Sequence, residues 1–204
     1  GQVGDGSDIP DVVPAPVRVV GGEQGGQFLT NVVQVDAGNG NHTCVVVDGG
    51  GVYCWGWNMT GQLGNDQGGL DEFSGFPVQV VAGQQGQSGF FTDAVEVAVG
   101  GLHTCARVET EGEMYCWGSD GVGQLGDGVQ GDWIARPQRV VAGETSDDPA
   151  EEFLSGADQV VAGSNNTCAR LGYGVACWGD GEIGQLGNGQ SGAGLLSAEP
   201  VWVI

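Results

Sequence analysis

The sequence predicts an all-β chain, a β-propeller built of four-stranded antiparallel blades, with three repeats that make a partial propeller or arc. Three observations predict it. A unit of about sixty residues is written three times, as in stacked supersecondary arrays; its repeated tryptophans stand at 55, 117 and 178. Between the turn signals the chain alternates as strands do, with Val95, Val97 and Val99 on one face and Ala94, Glu96 and Ala98 on the other. Glycine, 42 of 204 residues, falls at fixed places in each unit, which is turn chemistry rather than a low-complexity tract.

The elements follow in order. Residues 1–15 form an N-terminal extension, and the repeats run at about 16–76, 77–136 and 137–204. In the second unit strands are expected at 94–99, 103–108, 113–117 and 138–142. Thr43-Cys44, Thr104-Cys105 and Thr167-Cys168 lie on the second strand of each unit. Gly49-Gly50-Gly51, Glu111-Gly112 and Gly172-Tyr173-Gly174 mark the tight turns into the third. That strand carries Cys54-Trp55-Gly56, Cys116-Trp117-Gly118 and Cys177-Trp178-Gly179. A Gly-Gln-Leu-Gly loop follows, with Leu63, Leu125 and Leu186 tucked inward, and the tryptophans pack in the core and between blades. The fourth strand is read at Val78–Val81, Arg139–Val141 and Val201–Ile204. Val17-Arg18-Val19-Val20 is then left over, equivalent to the last strand of a preceding blade and, as a spare strand, suited to donation, so loss of residues 1–22 is expected to weaken assembly.

The run HTCARVETEGEMYCWGSDGVGQLGDG, from His103 onward, closely resembles the repeat of the regulator of chromosome condensation family. The two-cysteine form is similar to its bacterial extracellular branch. The resemblance covers nearly the whole chain from about Pro16 and implies a propeller, commonly of seven blades. Three blades do not readily close a ring. Three arrangements answer that: a segment of a longer propeller, two copies in a ring of about six blades, or a head-to-tail filament.

The six cysteines fall in pairs that bracket the hairpins, so partners face each other across neighbouring strands. Intra-blade disulfides Cys44–Cys54, Cys105–Cys116 and Cys168–Cys177 are expected, with buried free thiols as the alternative. Disulfides place the protein outside the cytosol, extracellular or at the cell surface. His42 and His103 share a position with Asn166, which fits a side-chain hydrogen bond to nearby backbone better than a proton shuttle. Asn58, Asp120 and Gly181 share another and are read as turn residues at positive φ. Asp147, Asp148, Glu151 and Glu152 cluster in a variable loop and are weak calcium candidates; no other metal or cofactor is expected. Asn41, Asn58 and Asn165 stand in glycosylation triplets.

Charge is lopsided, with 26 acids against five arginines and no lysine, a net of -21. Such a surface repels nucleic acid and anionic membranes and serves solubility or attracts cations and basic partners. The apolar runs are too short for a transmembrane helix. With no catalytic constellation in view, the chain is expected to be a non-enzymatic propeller that binds protein, by self-association or through neighbouring blades, or builds a surface or filament structure. The alternative is a secreted enzyme inhibitor, since a bacterial β-lactamase inhibitor is similar in repeat type. The exchange-factor role of the family's nuclear member is set aside, because charge and cysteine pairs oppose it.

Overall fold

The computed structural model describes residues 1–7, 15–86, 88–146, 150–172 and 174–204. Among these residues twelve strands form three antiparallel sheets, each in the order of the chain. Blade one holds β1 (Val32–Asp36), β2 (His42–Val47), β3 (Val52–Trp57) and β4 (Phe73–Gln79). Blade two holds β5 (Ala94–Val99), β6 (His103–Val108), β7 (Met114–Ser119) and β8 (Trp133–Arg139). Blade three holds β9 (Ala157–Ala162), β10 (Asn166–Leu171), β11 (Gly174–Asp180) and β12 (Leu196–Trp202).

The first three strands of blade two lie where the alternation put them, within two residues at each end. The alternation does not divide core from solvent. A register shift between Ala94 and Glu96 breaks it, and Val97, Ala98 and Val99 are all buried. A sheet packed between two others is covered on both faces, so both rows of side chains go inward. One apolar cluster joins Val46, Val52, Leu63 and Val80 of blade one to Phe91, Val97, Tyr115 and Trp117. A second joins Met114, Leu125 and Val140 to Leu154, Val160 and Trp178.

The fourth strand is the main correction. It begins at 73, 133 and 196, several residues before the Val-Val pairs read as its centre. Each fourth strand contains a proline, Pro77, Pro137 or Pro200. An outer strand tolerates it because its unpaired side needs no donor. Beyond the strand the valines turn inward, and Val80 and Val140 are fully buried. The repeat boundaries drawn at 76/77 and 136/137 therefore fall inside β4 and β8.

Between β3 and β4, and at the equivalent points of the other blades, the ladder shifts register beside the Gly of Cys-Trp-Gly. Gly56, Gly118 and Gly179 have φ of 104°, 108° and 98°. A Cβ at Gly56 would stand 2.4 Å from the Asn41 carbonyl oxygen. The motif needs glycine there for both reasons.

Candidate functional site

The features that could recognise another molecule lie at the junctions between blades. Each junction is a ladder of polar rungs across an apolar contact. Between blades one and two, Thr104 Oγ1 donates to the Gln62 carbonyl at 2.8 Å. Trp117 Nε1 donates to the same carbonyl at 2.9 Å. The Thr104 proton is thereby used, so His42 Nε2, 2.8 Å away, must be the donor to its oxygen. Further along β1, Gln34 Nε2 donates to the Val97 carbonyl and its Oε1 accepts from the Val97 N–H, at 2.9 and 3.0 Å. Asp36 Oδ2 accepts from the Val99 N–H at 2.7 Å.

The junction between blades two and three repeats this. Thr167 Oγ1 and Trp178 Nε1 donate to the Gln124 carbonyl at 3.0 and 3.1 Å. His103 Nε2 stands 2.9 Å from Thr167 Oγ1, and Glu96 Oε2 accepts from the Val160 N–H. The histidines thus bond to a threonine of the next blade, not to nearby backbone as expected. Burial pushes His42 down to about 4. Burial, with a smaller contribution from His42, pushes His103 down to about 3. Both rings are neutral, and each Nδ1 is buried without a partner among the described residues.

Blade three presents the same positions with no blade opposite among the described residues. Gln159 replaces Gln34, Asn166 replaces the histidines, and Gln185 replaces Gln62 and Gln124. Val161, equivalent to Ala98, is 52% exposed where Ala98 is 3%. Cys177, Leu186 and Val201 form a small cluster beneath this face.

At the opposite end Val17–Val20 stands where the last strand of a preceding blade is expected, but it is packed on blade one rather than spare. Gly1-Gln2-Val3-Gly4-Asp5-Gly6 is a fourth copy of Gly-Gln-Leu-Gly-Asp-Gly at 123–128, with Val3 for leucine. The Gln2 carbonyl accepts from Trp55 Nε1 at 3.0 Å. The Val20 N–H donates to the Gly4 carbonyl, as Val81 does to Gly64 and Val141 to Gly126, all at 2.9 Å. Val19 and Leu29 pack on Val45, Val47, Tyr53 and Trp55. Gly1–Gly6 therefore belongs to the array and not to an N-terminal extension over 1–15; the hexapeptide signals this, but it lacks the Cys-Trp-Gly that marks the other copies.

The other predicted residues sort as follows. All three disulfides form within blades, Cys44–Cys54, Cys105–Cys116 and Cys168–Cys177, each with 4.1 Å between Cα atoms. Asn58, Asp120 and Gly181 do not have positive φ, which corrects the turn reading. Asn58 and Asp120 are buried, and their Oδ1 atoms accept the N–H of Leu63 and Leu125, capping the Gly-Gln-Leu-Gly loop. In blade three the Leu195 side chain occupies the space a side chain at Gly181 would need. Burial of Asp120, with the Asp127 charge adding to it, raises its carboxyl to about 6 against two backbone N–H bonds that lower it. Burial also removes Asn58 as a glycan acceptor.

Of the calcium candidates, Asp147 and Asp148 lie outside the described residues. Glu151 accepts from Ser146 Oγ and Ser155 Oγ at 2.6 and 2.7 Å, which holds its carboxyl below the usual range. Glu152 is exposed, and its backbone carbonyl accepts from Ala142. Among the described residues no group of three or more His, Cys, Asp or Glu converges as a metal site. Among the described residues no helix is long and apolar enough to cross a membrane. All five arginines are engaged: Arg107 with Glu96, Arg136 with Asp66, Arg139 with Glu113, Arg170 with Asp158, and Arg18 over the Phe28 ring.

Comparison with known proteins agrees with this architecture. Profiles of the regulator of chromosome condensation (RCC1) repeat match residues 49–107, and 32–62 with 94–124. The chain is 30% identical over 190 residues to the ultraviolet-B receptor UVR8 of Arabidopsis thaliana, covering 93% of this chain and 37% of that protein. It is 33% identical over 129 residues to the X-linked retinitis pigmentosa GTPase regulator of Mus musculus, covering 62% of this chain and 11% of that protein. Among solved structures, Prp20p from Saccharomyces cerevisiae superposes with a TM-score of 0.66 at 17% identity, over 88% of this chain and 39% of that one. Human WBSCR16 superposes at 0.64 and 23% identity, over 86% and 38%. The chain thus spans little more than a third of the length of these solved relatives. By repeat, register and fold, it belongs to the RCC1 repeat family of β-propellers.

Proposed function

We propose that this chain is an extracellular, non-enzymatic propeller segment, of the family's two-cysteine bacterial kind, that binds protein and builds a surface assembly. The observation that carries the reading is the disulfide in every blade: three stapled hairpins on a repeated frame favour an oxidising compartment. A net charge of -21 with every arginine already engaged favours a neutral or basic protein partner over nucleic acid. Prp20p has been described together with its binding to Gsp1p and histones, so protein binding has a precedent on this fold.

The test is cross-linking on intact producing cells. A carboxylate-reactive reagent suits a chain with 26 acids and no lysine. Links from Asp158 and neighbouring acids of blade three to another protein chain are expected, with all six cysteines resistant to alkylation. Links confined within one chain, or six alkylatable thiols, would reject the reading. The secreted-inhibitor reading is kept by a different observation: Trp57, Phe73 and Trp133 are exposed at one end of the third and fourth strands. Inhibition of a secreted hydrolase, lost in Trp57→Ala/Trp133→Ala, would favour it.

A further inference from the structure

The loops that follow β3 and β7 share one plan and differ in the chemistry of one buried place. In both, Oδ1 of the first side chain accepts a leucine N–H: Asn58 from Leu63 at 3.0 Å, Asp120 from Leu125 at 3.1 Å. With Oδ1 held alike, the second terminal atom of each side chain is aimed at the same place. In blade one that atom is Nδ2, and it donates to Asn65 Oδ1 and to the Gln67 carbonyl, both at 3.0 Å. One amide thus satisfies two acceptors.

In blade two every group assigned to that place is an acceptor. Asp120 brings Oδ2 instead of an amide, Asp127 replaces Asn65, and Val129 replaces Gln67, at unchanged spacing. Asp120 is 0% exposed, and its Oδ2 is buried with no hydrogen-bond partner among the described residues. Asp127 is close enough for its charge to be felt at Asp120. Its Oδ1 accepts from the Val129 N–H at 3.2 Å, which holds the carboxylate on the loop and leaves the second oxygen for a ligand. Gly131 passes beside the same spot, where a Cβ would stand 3.6 Å from Asp120 Oδ2. A buried carboxylate that lacks a donor is costly. The plan of blade one, with its donor exchanged for an acceptor, calls for positive charge between the oxygens. The five arginines are engaged elsewhere, and the chain has no lysine.

We propose that the loop 120–131 of blade two binds one calcium ion, with Asp120 Oδ2, an Asp127 carboxylate oxygen and the Val129 carbonyl as protein ligands and water completing the shell. Carboxylate, carbonyl and water are hard oxygen donors, and an irregular loop suits calcium better than magnesium, which demands a near-octahedral shell. The site belongs to blade two alone. Blade one has amides at both side-chain positions, and blade three has Gly181 and Asn188. The ion does there what the Asn58 amide does in blade one, tying the start of the loop to its middle.

Calorimetric titration of calcium into the full chain, at constant ionic strength, should show one saturable site with a Kd on the order of 0.1–1 mM, the range of sites with few charged ligands. Asp120→Asn and Asp127→Asn each restore one residue of blade one and should weaken calcium by about tenfold or more, since each removes a charged ligand. Asp120→Asn/Asp127→Asn rebuilds the blade-one network and should bind none. Blade one already folds with these side chains, so the variants retain the loop. Melting curves give a second readout: saturating calcium should raise the parent and leave the double variant where it is. No saturable site in the parent would overturn the proposal, leaving two carboxyls that share a proton. Equal calcium binding by the parent and Asp120→Asn, or equal effects of calcium and magnesium, would reduce the effect to general attraction of cations by a net charge of -21 and would also overturn it.

Discussion

Asp120 and His103 set opposite pH dependences inside one blade. The Asp120 carboxyl is raised to about 6 from 3.8 by burial, so the folded state holds its proton more tightly than the unfolded state. Its ionisation therefore costs stability as pH rises through that window, and the cost is fully present above it. Asn58 fills the same place in blade one without a charge. Asp120→Asn is expected to stabilise the protein at pH 7 by about 1 kcal/mol, discounted for solvent screening, and to make no difference near pH 4. Denaturant melts at both pH values check this. His103 is lowered to about 3 from 6.5, so its contribution is present above 6.5 and lost as pH falls. Between pH 7 and 5 the parent should lose about 2 kcal/mol more than His103→Asn, at about 1.4 kcal/mol per pH unit below the unfolded value. Asn166 shows that the amide is native to the position. The role of position 58/120/181 was not legible, because Asn, Asp and Gly exchange equally well at a left-handed turn and at a loop whose cap is dispensable. The capped N–H belongs to a leucine five residues on, and the sequence does not mark that bond.

At the scale of the element, the hairpin and its staple are the unit. Cys105 faces Cys116 in register across β6 and β7, and the bridge closes a loop with a separation of 11 residues. The double variant Cys105→Ser/Cys116→Ser is expected to lose about 2–3 kcal/mol. Non-reducing peptide mapping of the parent should recover three within-blade bridges, and any bridge between blades would contradict the register. The hairpins were legible because two constraints agreed at each: paired cysteines and a glycine-marked turn. The fourth strands were displaced because Val-Val pairs look like strand centres and Pro137 looks like a strand breaker. The outer strand inverts both cues: proline lies within it, and the valines after it leave the sheet to fill the core. Between blades, Gly126 lets a backbone pass under the Trp178 ring. A Cβ there would stand 2.6 Å from Nε1, at φ of 71°. Gly126→Ala is expected to cost about 2 kcal/mol or more, from overpacking and a left-handed backbone together, and a loss of denaturation midpoint would report it.

For the whole molecule, charge and repetition matter more than any one contact. A net of -21 on 204 residues destabilises the compact state by self-repulsion, so the melting temperature should rise with added salt until screening is complete. Binding to duplex DNA at physiological salt should be undetectable, and micromolar, salt-sensitive binding would refute the charge argument. The period of the repeat was readable at once, since Trp55, Trp117 and Trp178 announce it. The place of Gly1–Gly6 in that array was not, because the hexapeptide stands apart from any Cys-Trp-Gly. The staples also govern how the molecule answers a pull on its ends. Each hairpin tip lies inside a covalent loop with separations of 10, 11 and 9 residues. Stretched chain gains about 3.5 Å per residue, but those residues stay out of the extended path until a reductant cuts the loop. Tension can peel one blade from the next, yet each blade gives up only its flanks, and a pulled chain would lengthen in three further steps of roughly 30–40 Å, one per reduced bridge.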